Sequence, residues 1–130
     1  MSIKYPIKNI SGKEYLMVCP SNRVYEKKGT RIQYDDDDED MQVAIFRVDG
    51  KLYCLWNICP HRHKDQIFNG ILKKLTVICP EHGWTYSLET GENMNKLQGL
   101  RGLDRFDIFE EDGWVYIEKP TITIPRWRKE

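Results

Sequence analysis

Nowhere in the 130 residues does an apolar run reach the roughly 18 side chains that a membrane-crossing helix needs, so none is expected. Excess charge is missing as well. Twenty basic residues face twenty acidic ones, the formal net charge is +0, and no basic stripe interleaves with aromatics. Nucleic acid is therefore not an expected partner. The start of the chain, Met1 to Pro6, lacks an apolar run behind basic residues, so no signal peptide is expected. Cysteine is sparse at four: Cys19, Cys54, Cys59 and Cys79. Without an export signal these read as thiols or metal ligands rather than a disulfide framework, and the expected location is the cytoplasm. Length allows one domain over 1–130 and leaves no room for a second, catalytic one.

No stretch sustains a 3.6-residue apolar period, so helix should be scarce. What is present is a series of short β-rich segments punctuated by turns. Gln42–Val48 alternates, Asp49-Gly50 is a two-residue hairpin signal, and Leu52–Trp56 resumes the strand. A second hairpin runs from Arg105–Phe109 through Glu111-Asp112-Gly113 into Trp114–Ile117. Leu75–Ile78 and Trp84–Leu88 are further strands, Thr90-Gly91 is a turn, and Tyr15–Cys19 and Thr30–Tyr34 read as outer strands. The expected fold is all-β, an antiparallel barrel or sandwich with a smaller insert at about residues 57–90.

The chemistry sits in two boxes, Cys59-Pro60-His61 and Cys79-Pro80-Glu81-His82, with 17 residues from Arg62 to Ile78 between them. Each supplies one thiolate and one imidazole on a short loop. Soft thiolates suit iron–sulfur, zinc or copper, and imidazole suits iron or zinc, so a mononuclear zinc site is one reading. The order of ligands speaks against it. Zinc modules group their cysteines and histidines in separate boxes, whereas here each box mixes them. A two-iron cluster uses the mixture directly, two cysteines on one iron and two histidines on the other.

Continued through Gly83-Trp84 and on to Glu92, and joined to Val43–Tyr53 and the final hairpin, these boxes resemble the Rieske-type 2Fe–2S ferredoxin family. They are similar also to the small subunit of NADH-dependent nitrite reductase. The resemblance covers roughly residues 42 to 118. It implies a β-sheet base, a two-loop cluster-binding subdomain at about 57–90, and one 2Fe–2S cluster on Cys59, His61, Cys79 and His82. High-potential members carry an extra cysteine in each loop, joined as a disulfide. His63 and Glu81 hold those positions here, so that bridge is not implied. Trp84 stands where such members place a serine donor, and Tyr86 where a second hydroxyl donor sits. With fewer donors and no disulfide, a potential in the lower part of the Rieske range is expected. His63 and Glu81 either pair with each other or both face water. A third loop near the cluster often holds proline in the family, whereas Gln98–Gly102 has none.

Other features read plainly. Cys19 and Cys54 are small buried hydrophobes, and Trp56, Trp84 and Trp114 fill the core or shield the cluster. The acidic run Asp35 to Asp40 is a solvated loop between strands, with a docking patch or weak divalent-ion binding as the functional reading. The basic tail Pro125 to Glu130 is a terminus. Three function classes follow. One is a free ferredoxin carrying electrons from a reductase to an oxygenase. Another is a small subunit of a nitrite reductase-like enzyme, and the third is a zinc-binding interaction module. An electron carrier or accessory subunit is expected rather than an enzyme by itself. An oxygenase catalytic subunit needs a further domain with a two-His, one-carboxylate iron site, and only His63 lies outside the boxes.

Overall fold

The computed structural model describes residues 3–59, 64–80, 83–94 and 102–120. Eleven strands make up the described secondary structure, together with two single 3-10 turns at Ser21–Arg23 and Ile67–Asn69. Three sheets form, all by antiparallel strand pairing. The first contains β1 (Ile7–Ile10), β2 (Lys13–Pro20), β10 (Ile108–Glu111) and β11 (Trp114–Glu118), in the order β1-β2-β11-β10. The second contains β3 (Gly29–Gln33), β4 (Gln42–Val48), β5 (Lys51–Trp56) and β9 (Arg105–Phe106), in the order β3-β4-β5-β9. The third is smaller, β6 (Ile71–Lys73), β7 (Thr76–Ile78) and β8 (Thr85–Ser87), in sequential order.

The turns explain the registers. Asp49-Gly50, Asp112-Gly113 and Ser11-Gly12 each place two consecutive residues at positive φ, the geometry of the tight hairpin turn whose twist matches its strands. The first also has a side-chain clamp: the Glu26 carboxylate accepts from the amides of Asp49 and Gly50.

Strand β4 was expected to alternate, yet nearly all of it is buried. Its two faces serve different cores. Val43 and Ile45 join Leu16, Val18, Val115 and Ile117 between the first and second sheets. Ala44, Phe46 and Val48 join Ile67, Val77, Tyr86 and Leu88 on the opposite side, where the third sheet lies. Period-2 reading anticipates one buried face and cannot foresee a second sheet covering the other. Phe46 is fully buried in that second core, where truncation to Ala costs about 3–5 kcal/mol.

Three further expectations change. Tyr15–Cys19 is no outer strand, because β2 lies between β1 and β11. The segment Arg105–Phe109 is two strands rather than one. Before Asp107 it pairs with β5, and after it with β11, so the chain changes sheets at that residue. Trp114 does not fill the core and is 39% exposed beside its turn, whereas Trp56 is buried.

Candidate metal centre

Each cysteine of the two boxes lies just beyond a strand. Strand β5 ends at Trp56 and leads through Asn57 and Ile58 to Cys59; β7 ends at Ile78 and leads directly to Cys79. The two sites close in the same way. The Cys59 amide donates to the Lys64 carbonyl at 2.9 Å, and the Cys79 amide donates to the Trp84 carbonyl at 2.8 Å. In both, the donor and acceptor are five positions apart. The second loop is drawn tighter by Gly83, whose amide donates back to the Cys79 carbonyl at 2.9 Å. Gly83 adopts φ 73, a left-handed conformation that side-chain-bearing residues adopt at a cost.

Both thiols are withdrawn from solvent, Cys59 at 0% and Cys79 at 1% exposure, within the same core as Val77, Tyr86 and Leu88. Tyr86 is paired across the third sheet with Val77. Its hydroxyl approaches Cys59 Sγ at 3.8 Å, within hydrogen-bond reach for sulfur. Burial pushes the phenol well above its ordinary acidity range, and the neighbouring charge of Cys59, the contact with its sulfur and the charge of Cys79 push the same way. Tyr86 therefore remains an O–H donor, and a thiolate can only accept. Two buried thiols, one of them within reach of a phenol, are a fitting donor set for an iron–sulfur cluster, whose sulfurs take hydrogen bonds from the protein.

The expected partners of these thiols, His61 and His82, lie outside the described residues, as do His63 and Glu81. The same holds for Gln98–Arg101 and the basic tail. Trp84 is half-buried and packs against the second core, in keeping with a shielding role. Gly102, at the end of the proline-free third loop, lies among the described residues, and a side chain there would strike the Gly91 carbonyl and crowd the backbone of Glu92 and Asn93. Cys19 and Cys54 belong to the first core, on the far side of the second sheet, and burial raises the pKa of both thiols. None of the four cysteines is joined in a disulfide. No helix among the described residues is long and apolar enough to cross a membrane.

The acidic run joins β3 to β4 as expected, but it is not simply solvated. Asp35 is 2% exposed, and the carboxylates of Asp35 and Asp38 accept from the amides of Asp37 and Asp40 at 2.8 and 3.0 Å. The structure adds one group of residues to those that the sequence points to. Asn57, two positions before Cys59, is fully buried and hydrogen-bonded to Gln42 and to the backbone of Asp65 and Phe68. An amide inside the apolar run from Leu55 to Ile58 is the signal that could have found it, since buried polar groups need partners.

Comparison with known proteins agrees with this geometry. The family model of the Rieske [2Fe-2S] domain matches residues 14–106, beginning well before the boxes and before the segment that resembled the family most. A nitrite reductase [NAD(P)H] of Emericella nidulans is 33% identical over an alignment of 91 residues, covering 64% of this chain but only 8% of that enzyme. The ferredoxin subunit of a 3-phenylpropionate/cinnamic acid dioxygenase of Shigella flexneri is 27% identical over 105 residues, 81% of this chain and 93% of that subunit. Among solved structures, a ferredoxin of Sphingomonas yanoikuyae superposes with a TM-score of 0.68 at 24% identity, over 81% of this chain and 98% of its own.

Proposed function

Because the chain belongs to the Rieske [2Fe-2S] domain family, we propose that it works as a one-electron carrier, its cluster held by Cys59, His61, Cys79 and His82. One 2Fe–2S cluster is the cofactor of this family and of this chain, and when bound it supplies a one-electron couple. One observation carries the reading. Two buried cysteines stand beyond strand ends in one core, closed by matching hydrogen bonds, with a phenol reaching the first of them. The residues in hand exclude water from the thiols and place a hydroxyl donor on one of them. Residues 57–90 form the cluster-binding part of a single domain, with the first two sheets as its base.

The potential belongs in the lower part of the Rieske range of about −150 to +300 mV, since the loop disulfide and one hydroxyl donor are missing from the sequence. The acceptor we favour is an oxygenase, fed from a flavin reductase, because the chain matches nearly the full length of a dioxygenase ferredoxin subunit. A second reading, a subunit serving a nitrite reductase, rests on the 33% identity to that enzyme. The cytoplasm is the compartment that suits its unbridged thiols. Two measurements test the proposal. Protein-film voltammetry should give a value in the lower half of the family range, and one near its top would refute the low-potential assignment. Affinity purification from the native host should recover the chain without a stoichiometric large subunit. Stable recovery with a flavin- or sirohaem-containing protein would replace the first reading by the second.

A further inference from the structure

A chain of hydrogen bonds runs inward from half-exposed Arg31 on the base of the fold, through buried amides, to the first ligand loop. It starts at Arg31 on β3, whose guanidinium can only donate, and whose Nε gives its hydrogen to Gln42 Oε1 at 2.7 Å. That contact fixes which way the Gln42 amide faces. Its nitrogen then donates to the Glu39 carbonyl at 2.7 Å, and its oxygen accepts a second hydrogen bond, from Asn57 Nδ2 at 2.5 Å. Asn57 is thereby oriented in turn. Nδ2 also donates to the Asp65 carbonyl at 3.0 Å, while Oδ1 accepts from the Phe68 amide at 2.8 Å. The main chain adds a strut, since the Asn57 amide donates to the Gln42 carbonyl at 3.2 Å. Arg31 also sits 3.7 Å from the carboxylate of Asp65.

Asn57 precedes Cys59, and Asp65 and Phe68 follow it, so one side chain clips together the two arms of the loop. Cys59 and Lys64 close it again one step further out. Every donor–acceptor choice along the chain agrees with the next, which an apolar filler of equal volume would not achieve. Gln42 and Asn57 are both essentially without solvent exposure. A buried amide serves by direction, holding particular backbone atoms in place.

We propose that the Arg31–Gln42–Asn57 relay is a positioning device that holds the neck of the first ligand loop in register, with Asn57 as its positioning residue for Cys59. The inference rests on the reading of Cys59 as a cluster ligand. Asn57→Asp is the informative change. It keeps shape and the acceptor for Phe68, but turns the donor facing Gln42 and Asp65 into a second oxygen. Two hydrogen bonds are lost, an effect on the order of tenfold in the population of the aligned loop.

The test uses the full chain as purified, in wild type, Asn57→Asp, Arg31→Met and Arg31→Lys. Hydrogen exchange by mass spectrometry compares a peptide spanning residues 57–68 with one spanning 44–48. Iron loss to a chelator is timed in parallel. Exchange through 57–68 should quicken about tenfold in Asn57→Asp and stay unchanged through 44–48, with iron lost faster by a similar factor. Arg31→Met should move both readouts in the same direction, and Arg31→Lys, which can still donate, should restore them. If Asn57→Asp does not fold, the Arg31 pair decides alone. Wild-type protection and iron retention in the variants would overturn the proposal, as would a uniform rise in exchange through both segments. A purified wild-type chain carrying zinc would overturn the cluster assignment instead, while the exchange data would still judge the relay.

Discussion

Replacing Tyr86 by Phe removes a single oxygen, the one that lies 3.8 Å from Cys59 Sγ, and leaves the ring that packs the second core in place. The structural cost is small. Only the hydroxyl is lost, with little cavity, and the partner left behind is a sulfur, a weak acceptor, so the melting transition should shift by the equivalent of about 1 kcal/mol. The effect on potential should be larger than that suggests. Reduction adds one negative charge to the site, which makes the cysteine sulfur a better acceptor and strengthens the hydrogen bond in the reduced state. A net hydrogen bond contributes about 0.5–1.5 kcal/mol, and for a one-electron couple about 1.4 kcal/mol corresponds to ~59 mV. The whole bond thus bounds the shift at about 20–60 mV downward. The long separation favours the smaller end, about 20–40 mV. Because burial keeps the phenol protonated beyond its ordinary range, the difference between variant and wild type should be flat with pH through the neutral region. Protein-film voltammetry of both proteins, in one buffer series from pH 6 to about 9, is the assay. An unchanged or raised potential in Tyr86→Phe would show that the hydroxyl does not serve the sulfur, and the description of the site would need rebuilding.

Other outcomes follow from the same structure. Arg47 holds Glu110 through two contacts at 3.0 and 2.8 Å and caps the carbonyls of Val24 and Ser21, so Arg47→Met should cost about 2–4 kcal/mol by urea denaturation. The Arg47 hydrogen bonds hold the Glu110 carboxyl below its usual range. Its contribution is therefore complete above the unfolded value of about 4.3 and lost as pH falls through the depressed one, and the variant should show a shallower acid loss. Gly83→Ala meets open space but a positive φ, so backbone strain of about 1–2 kcal/mol should speed cluster loss to a chelator, with Gly83→Asn milder. Cys54→Ser should cost about 1–3 kcal/mol of stability in the first core and leave the iron content per chain untouched, because Cys54 faces away from Cys59 and Cys79.

Much of this was legible from residue types and spacing. Hairpin turns announce themselves chemically, as Asp49-Gly50 does, and Ser11-Gly12 between β1 and β2 carries the same signal. The paired boxes marked Cys59 and Cys79 because thiolates and imidazoles in mixed order have few other uses. Longer-range facts were not legible. Nothing local to Gln42–Val48 says that a third sheet covers its second face, and nothing local to Asp107 says that the chain leaves one sheet for another there. The Arg31–Gln42–Asn57 relay joins residues from three separate stretches, and its meaning exists only once they are folded together.

The most direct test of the central claim is an EPR spectrum of the purified chain before and after dithionite, with iron, zinc and acid-labile sulfide measured on the same sample. The account predicts iron and sulfide in equal amounts, a red-brown colour, and a signal only in the reduced protein. A colourless protein that contains zinc and stays silent in both states would contradict it.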